Sequence, residues 1–240
     1  MTPRLDAIWV YLSSTPLAGL TATLLAYQLA VWIHRRVHMH PLANPVAIAV
    51  AVLVAGLALT DTRYETYFDG AQFVHFLLGP ATVALAVPLY EQRARIARLW
   101  LPLSIGLAAG VLTAVVSAAG LAWLLGASPE TIRSLAPKSV TTPIAMGIAE
   151  RIGGLPSLTA TLVIATGMLG AMIAIPLLAR VGIGSEVARG FALGVASHGI
   201  GTARAFQVSE RMGAFAGLAM GLAALLTSVV VPLLAALLRL

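Results

Sequence analysis

Three stretches of this chain, 99–125, 159–179 and 212–238, run for 27, 21 and 27 residues without one charged side chain. About 20 apolar residues at 1.5 Å rise cross the ~30 Å hydrocarbon layer of a bilayer, so runs of this length read as membrane spans. Further uncharged runs occupy 16–33, 42–60 and 71–90, and a shorter one at 5–12 reads as an interfacial piece or an extension of the first span. The runs are continuous rather than alternating with period two, which selects helices over a β-barrel. Of the 240 residues, 59% are apolar and only 10% charged, where a soluble domain carries roughly 25% charged. The expectation is an all-α polytopic membrane protein, one integral membrane domain over 1–240, with seven to eight membrane segments once 137–156 and 190–207 are counted.

The 24 charges fall mostly between the runs. Loops 34–40 (HRRVHMH) and 91–98 (EQRARIAR) are basic, whereas 60–70 sets three acids against one Arg. Basic loops stay on the cytoplasmic side, so 34–40 and 91–98 are expected inside and 60–70 outside. The net charge of +6 is thereby a topology signal rather than a sign of nucleic acid binding. His34, His38 and His40 sit in a juxtamembrane basic stretch without carboxylates, which favours attraction to anionic lipid over a metal site. Trp32, Trp100 and Trp123 lie at span ends, where interfacial aromatics belong. The opening MTPRLDAIWV has no small-residue cleavage site, so neither a signal peptide nor a transit peptide is expected.

Two segments place polar residues where a bilayer rejects them. A charge at a span centre costs at least ~2.5–3.5 kcal/mol and faces a cavity or a partner. In PKSVTTPIAMGIAERIGGLP, 137–156, Thr142 precedes Pro143 and reads as the N-cap of a half-helix running to Arg151 and stopped by Gly153-Gly154. Its free N–H groups would meet Lys138, Ser139 and Thr141, an anion site in outline. In ASHGIGTARAFQ, 196–207, Gly199 and Gly201 permit an unwound backbone, and Thr202 can cap a helix from Ala203 that carries Arg204 and Gln207. Ser197 and His198 precede that second helix start.

Each residue alone has a plainer account. Lys138 can snorkel to the interface, His198 can bond a backbone carbonyl, and Glu150-Arg151 can be an ion pair at a helix end. His75 and Gln72 in the third span read as packing residues. The Gly-x-x-x-Gly spacings at 106/110, 190/194 and 217/221 read as helix-packing faces. Clustering is what favours function for 137–156 and 196–207, since broken helices directed at a shared site hold anionic substrates in several secondary transporters. A shift of 57 residues matches 80–114 to 137–171 at seven positions, weak support for inverted repeats. No P-loop, HExxH or GxSxG occurs and there is no cysteine, so no enzyme, cofactor or metal is expected.

The segments 67–90 (YFDGAQFVHFLLGPATVALAVPLY), 134–160 (SLAPKSVTTPIAMGIAERIGGLPSLTA) and 196–207 resemble the LrgB/CidB family of bacterial membrane proteins. The resemblance runs from about residue 15 to 238 and extends to the membrane part of the plant plastidial glycolate/glycerate translocator. It implies two functions. One is carriage of small monocarboxylates of the glycolate, glycerate, pyruvate or lactate type. The other is holin/antiholin-like control of murein hydrolase activity and autolysis, exercised with a small LrgA/CidA-type membrane protein. It also implies Glu at the position of Gln207, which removes a titratable group here, and a multi-pass protein of the bacterial cytoplasmic membrane.

A holin needs oligomerising spans rather than specific intramembrane cations, so the polar clusters favour the carrier. Lys138, Arg204 and helix N–H groups at Thr142 and Thr202 are the expected carboxylate ligands, with Ser139, Thr141 and Ser197 as hydroxyl contacts. His198 is a candidate proton-linked group, because imidazole titrates near neutral pH. Glu150 and Gln207 are candidate coupling or gating positions. The expected partners are the carboxylate, the bilayer, the small membrane protein and a second copy in a homodimer, with no nucleic acid.

Overall fold

The computed structural model describes residues 16–38, 40, 43–77, 80, 83–84 and 86–238. The short run expected at 5–12, Gly79 of the third span and the His75 side chain lie outside the described residues. All regular structure among the described residues is helical. Among the described residues, four helices are long and apolar enough to cross a membrane: Leu17–Arg36, Trp100–Leu124, Pro156–Arg180 and Glu210–Leu237. The chain forms two compact units, divided between Ala84 and Leu85.

The first unit holds α1 (Pro16–Arg36), α2 (Pro45–Leu59) and α3 (Tyr64–Phe76). Asn44 starts α2: its Oδ1 accepts the N–H groups of Val46 and Ala47 at 2.9 and 3.2 Å, and Pro45 fills the first helical position. Gly19 on α1 has no room for a Cβ beside the Tyr67 carbonyl, and the Thr23 and Tyr67 hydroxyls share a hydrogen bond of 2.7 Å. His34 is buried and its Nδ1 donates to the Ala43 carbonyl at 2.8 Å, so this member of the basic loop closes a turn instead of meeting lipid. Gln72 Nε2 donates to the Asp69 carbonyl at 2.6 Å. The third expected span is not one helix: α3 starts at Tyr64 and gives way to a turn at Leu77.

The second unit continues with α4 (Ala86–Glu91), α5 (Arg93–Arg98), α6 (Trp100–Leu124), α7 (Pro129–Leu135), α8 (Thr142–Arg151), α9 (Pro156–Arg180), α10 (Glu186–Val208) and α11 (Glu210–Leu238). Its core is built from α6, α8, α9, α10 and α11 around Val111, Val115, Val140, Val163, Phe215 and Val231. Leu101, Ile105, Leu112 and Val116 on α6 and Leu225, Val229 and Leu233 on α11 are exposed, an apolar outer surface suited to lipid. Arg95, Arg98 and Arg211 line one depression, and Arg211 Nη1 lies 3.4 Å from Glu186 Oε2. The starts of α6, α10 and α11 therefore share one end of the unit. At the opposite end Trp123, Arg133, Ile152 and Val231 line a second pocket, so α6 and α11 run in the same direction.

Between those long helices the chain makes two hairpins. The first is the bend 136–141 with α8, entered from α7. Ser134, wholly buried, donates through Oγ to the Glu130 carbonyl and accepts the Leu155 N–H, both at 2.7 Å. Thr159 Oγ1, also wholly buried, donates to the Ser134 carbonyl at 3.0 Å. Residues 134 and 155 thus meet although α8 and the bend 136–141 lie between them. α8 is ten residues, about 15 Å at 1.5 Å per residue, which sets how far the bend reaches from this junction. Gly153 (φ 78) closes α8: its N–H and that of Gly154 bond the Glu150 and Ala149 carbonyls at 3.2 and 2.7 Å, a Schellman stop. Ser134→Ala is expected to lower stability by ~1–3 kcal/mol, because it removes two hydrogen bonds of ~0.5–1.5 kcal/mol each at a wholly buried position. Thermal unfolding of the detergent-solubilised protein checks this.

The second hairpin is α10 itself. Ser197 (φ −132, ψ 16) and His198 (φ 40, ψ −133) break the helix. Before the break, Gly190 and Gly194 lie against the carbonyls of Met212 and Ala216 on α11; beyond it, Thr202 contacts Met220 and Phe206 lies against Gly213. The first limb, 186–196, therefore runs with α11 and the second, 199–208, runs back against it. A Cβ on Gly201 would sit 2.7 Å from the Leu193 carbonyl oxygen, a measure of how closely the limbs approach. Ser209 Oγ then accepts the Met212 N–H at 3.1 Å and starts α11.

Candidate functional site

The two bends come together halfway along α9. Lys138 and Ser139 from the first hairpin and Ser197 from the second line one cavity of about 1050 Å³, with Thr166 and Gly170 of α9 beside them. The His198 ring is seated on the same part of α9: its Nε2 donates to the Val163 carbonyl at 3.0 Å, and a Cβ on Gly167 would lie 2.7 Å from the ring. Gly170 is equally closed by the Ser197 side chain. Two glycines in an otherwise plain span are thus the seat into which the bend of α10 fits. His198 lies within electrostatic reach of Lys138.

Ser197 has no exposed surface and its Oγ bonds no group among the described residues. Buried hydroxyls are normally paired, and this one is closed off against Gly170 of α9, at the edge of the cavity. Lys138 and Ser139 are half-buried beside it. Lys138, Ser139 and Thr166 gather the polar residues at one pole of a cavity whose other walls are mainly Leu, Val, Phe, Ala and Gly. Such a pole suits a small anion with planar oxygens.

The structure departs from the sequence expectation at three points. The N-cap of α8 is Thr141 (φ −60, ψ 144) and not Thr142, which takes the first helical position ahead of Pro143. Proline prefers the first turn, and either of its first two positions satisfies that preference. Thr141 makes no side-chain cap bond, so the helix start offers the N–H groups of Thr142 and Ile144 without intrahelical acceptors. Thr202 does not cap a helix at Ala203. Its Oγ1 donates to the His198 carbonyl at 2.9 Å inside a limb already helical from residue 199. The unwinding falls on Ser197-His198, not on Gly199 and Gly201, because the second glycine is needed for the limbs to pack.

Of the remaining candidates, Arg204 donates through Nη1 to Gln207 Oε1 at 3.0 Å and, like Thr141, Thr142, His198 and Thr202, is not part of the cavity lining. Glu150 and Gln207 are exposed. Thr166 was not singled out by sequence; the signal was a hydroxyl beside two glycines, Thr166-Gly167 and Gly170, in a span without charges. The 190/194 spacing packs against α11 and Gly110 against Val195, whereas nothing lies within 4 Å of a Cβ at Gly221.

Comparison with known proteins follows the same regions. Residues 23–237 match the LrgB-like family. The chain belongs to this family. An uncharacterized protein of Bacillus subtilis, YwbG, is 39% identical over 178 residues, 74% of this chain and 79% of its own length. The holin-like protein CidB of Staphylococcus epidermidis is 30% identical over 195 residues, 81% of this chain and 85% of CidB. The antiholin-like protein LrgB of Bacillus mycoides is 29% identical over 219 residues, 91% of this chain and 95% of that protein. No solved structure matches the chain. Both hairpins lie inside the region that matches the LrgB-like family.

Proposed function

We propose that this LrgB-like protein is a secondary carrier of small monocarboxylates in the bacterial cytoplasmic membrane, with glycolate, glycerate, pyruvate and lactate as the substrate type. The observation that carries the proposal is the meeting of two hairpin bends, one bearing Lys138 and Ser139 and the other Ser197, at one cavity halfway along α9. If α9 spans the bilayer, both bends lie near its midplane and the hairpins are re-entrant, entering from opposite faces. Each hairpin is followed by a long helix, α9 or α11, of opposite direction, which is the layout of inverted repeats. Lys138 holds the carboxylate, Ser139, Thr166 and Ser197 add hydroxyl bonds, and the start of α8 contributes its dipole. His198 is the group available for proton linkage, Arg204, Thr202 and Gln207 support the second hairpin, and Glu150 lies at the far end of α8. Alternating access comes from movement of the hairpin unit against the plain spans.

The second reading is a holin/antiholin-like regulator of murein hydrolase activity and autolysis, acting with a small LrgA/CidA-type membrane protein. The names of the relatives, holin-like CidB and antiholin-like LrgB, back this reading more directly than the carrier. Oligomerisation, with a homodimer as the simplest form, belongs to both. Uptake of labelled glycolate, pyruvate and lactate into proteoliposomes holding only this protein decides between them. The carrier gives saturable uptake. No uptake, together with altered autolysis only when the small partner is co-expressed, selects the regulator.

A further inference from the structure

The cavity is far larger than a two- or three-carbon acid requires. Its volume of about 1050 Å³ compares with a water's share of ~30 Å³ in the liquid. The polar lining is gathered at two places. Lys138, Ser139, Thr166 and Ser197 form the inner pole, and Arg95 and Ser185 stand at the end where α6 and α10 start. Between them the walls are apolar, with Leu103, Gly106 and Gly110 on α6 facing Phe191, Ala192 and Val195 on α10. From Leu103 to Ala114 the groove follows α6 for about 16 Å at 1.5 Å per residue. Gly106 keeps it open, whereas α6 and α10 touch at Gly110 and Val195: a Cβ at Gly106 would reach Phe191 Cε1 at 3.9 Å, so a longer side chain there enters the groove.

We infer that the groove takes monocarboxylates with an unbranched hydrocarbon tail of several methylenes, the carboxylate at Lys138 and Ser139 and the tail along the Gly106–Phe191 walls. The inference rests on the carrier reading and extends its substrate class beyond two- and three-carbon acids. The half-buried ammonium of Lys138, with Ser139 beside it, fits one anionic head, whereas Arg95 at the far end is exposed and donates to Gln92 Oε1, and the walls between offer no polar group to a hydrophilic body. Moving hydrocarbon from water to such walls is favourable for each methylene added.

Isothermal titration of the full-length protein in nanodiscs with acetate, butanoate, hexanoate, octanoate and decanoate tests this, with protein-free nanodiscs titrated in parallel to remove partition into lipid and Lys138→Ala titrated to test the head. The expected result is Lys138-dependent binding whose affinity rises about fourfold per methylene, the equivalent of ~0.8 kcal/mol, until the groove is filled. Gly106→Leu is expected to collapse the octanoate-to-butanoate affinity ratio. Lys138-dependent binding that is independent of tail length overturns the inference and leaves the carrier reading standing. Tail-dependent binding that persists in Lys138→Ala shows a groove for lipid chains and overturns the assignment of the head. Absence of Lys138-dependent binding at every length overturns the inference and the carrier site together.

Discussion

Gly194→Ala is expected to destabilise the protein by about 3 kcal/mol, the upper end of the usual cost of overpacking. A Cβ at this position overlaps the Ala216 carbonyl oxygen and comes within 2.8 Å of the Ala219 Cβ. Neither neighbour is the end of a flexible side chain, so α10 and α11 have to separate. The separation displaces the first limb of α10, which carries Ser197 at its end, so carboxylate affinity falls with stability. Gly221→Ala on α11 is the control. Nothing lies within 4 Å of its added Cβ, and exchanging a helical glycine for alanine stabilises by up to ~1 kcal/mol. Opposite shifts of the melting temperature in detergent are the predicted pair. An unchanged melting temperature for Gly194→Ala removes the close packing of α10 on α11.

Lys138→Ala is expected to weaken carboxylate binding by about ten- to a hundredfold, since a hydrogen bond to a charged group contributes ~1.5–3 kcal/mol. Lys138 is the cation at the inner pole of the cavity, and the hydroxyls around it cannot replace its charge. Arg204→Ala supplies the contrast. Arg204 is engaged with Gln207 and does not line the cavity, so its loss is expected to change affinity much less. Binding of labelled carboxylate to the purified variants reads both effects. Equal loss in the two variants places Arg204 at the site as well; an Arg204-only loss moves the site to the second limb of α10.

Much of this was legible in the chain. The breaks around 137–156 and 196–207 stand out because Lys138, Ser139, Ser197 and His198 are costly in lipid and need a reason to be there. The stop of α8 was equally plain, as Gly153-Gly154 can end a helix in a way that other residues resist. The cap of α8 was misplaced by one residue because Thr141 and Thr142 are identical in chemistry and proline fits either register. The break in α10 was misplaced for a different reason. Glycine marks where a backbone is free to bend, but Gly201 is small for the sake of packing against Leu193, and His198 bends with φ 40 because Val163 and Gly167 hold its ring.

Apolar run length, charge placement and helix-ending residues, all local properties, determined by themselves that this chain enters a bilayer, where its helices stop and which residues are out of place there. Only the tertiary structure decided that Ser134 meets Leu155, that α10 doubles back on α11, and that Lys138 and Ser197 share a cavity while Arg204 does not line it. The physical reason is that these outcomes depend on which backbones can approach each other. That is settled by pairs of small residues on different helices, Gly170 under Ser197 and Gly194 under Ala216, whose partners no local pattern names.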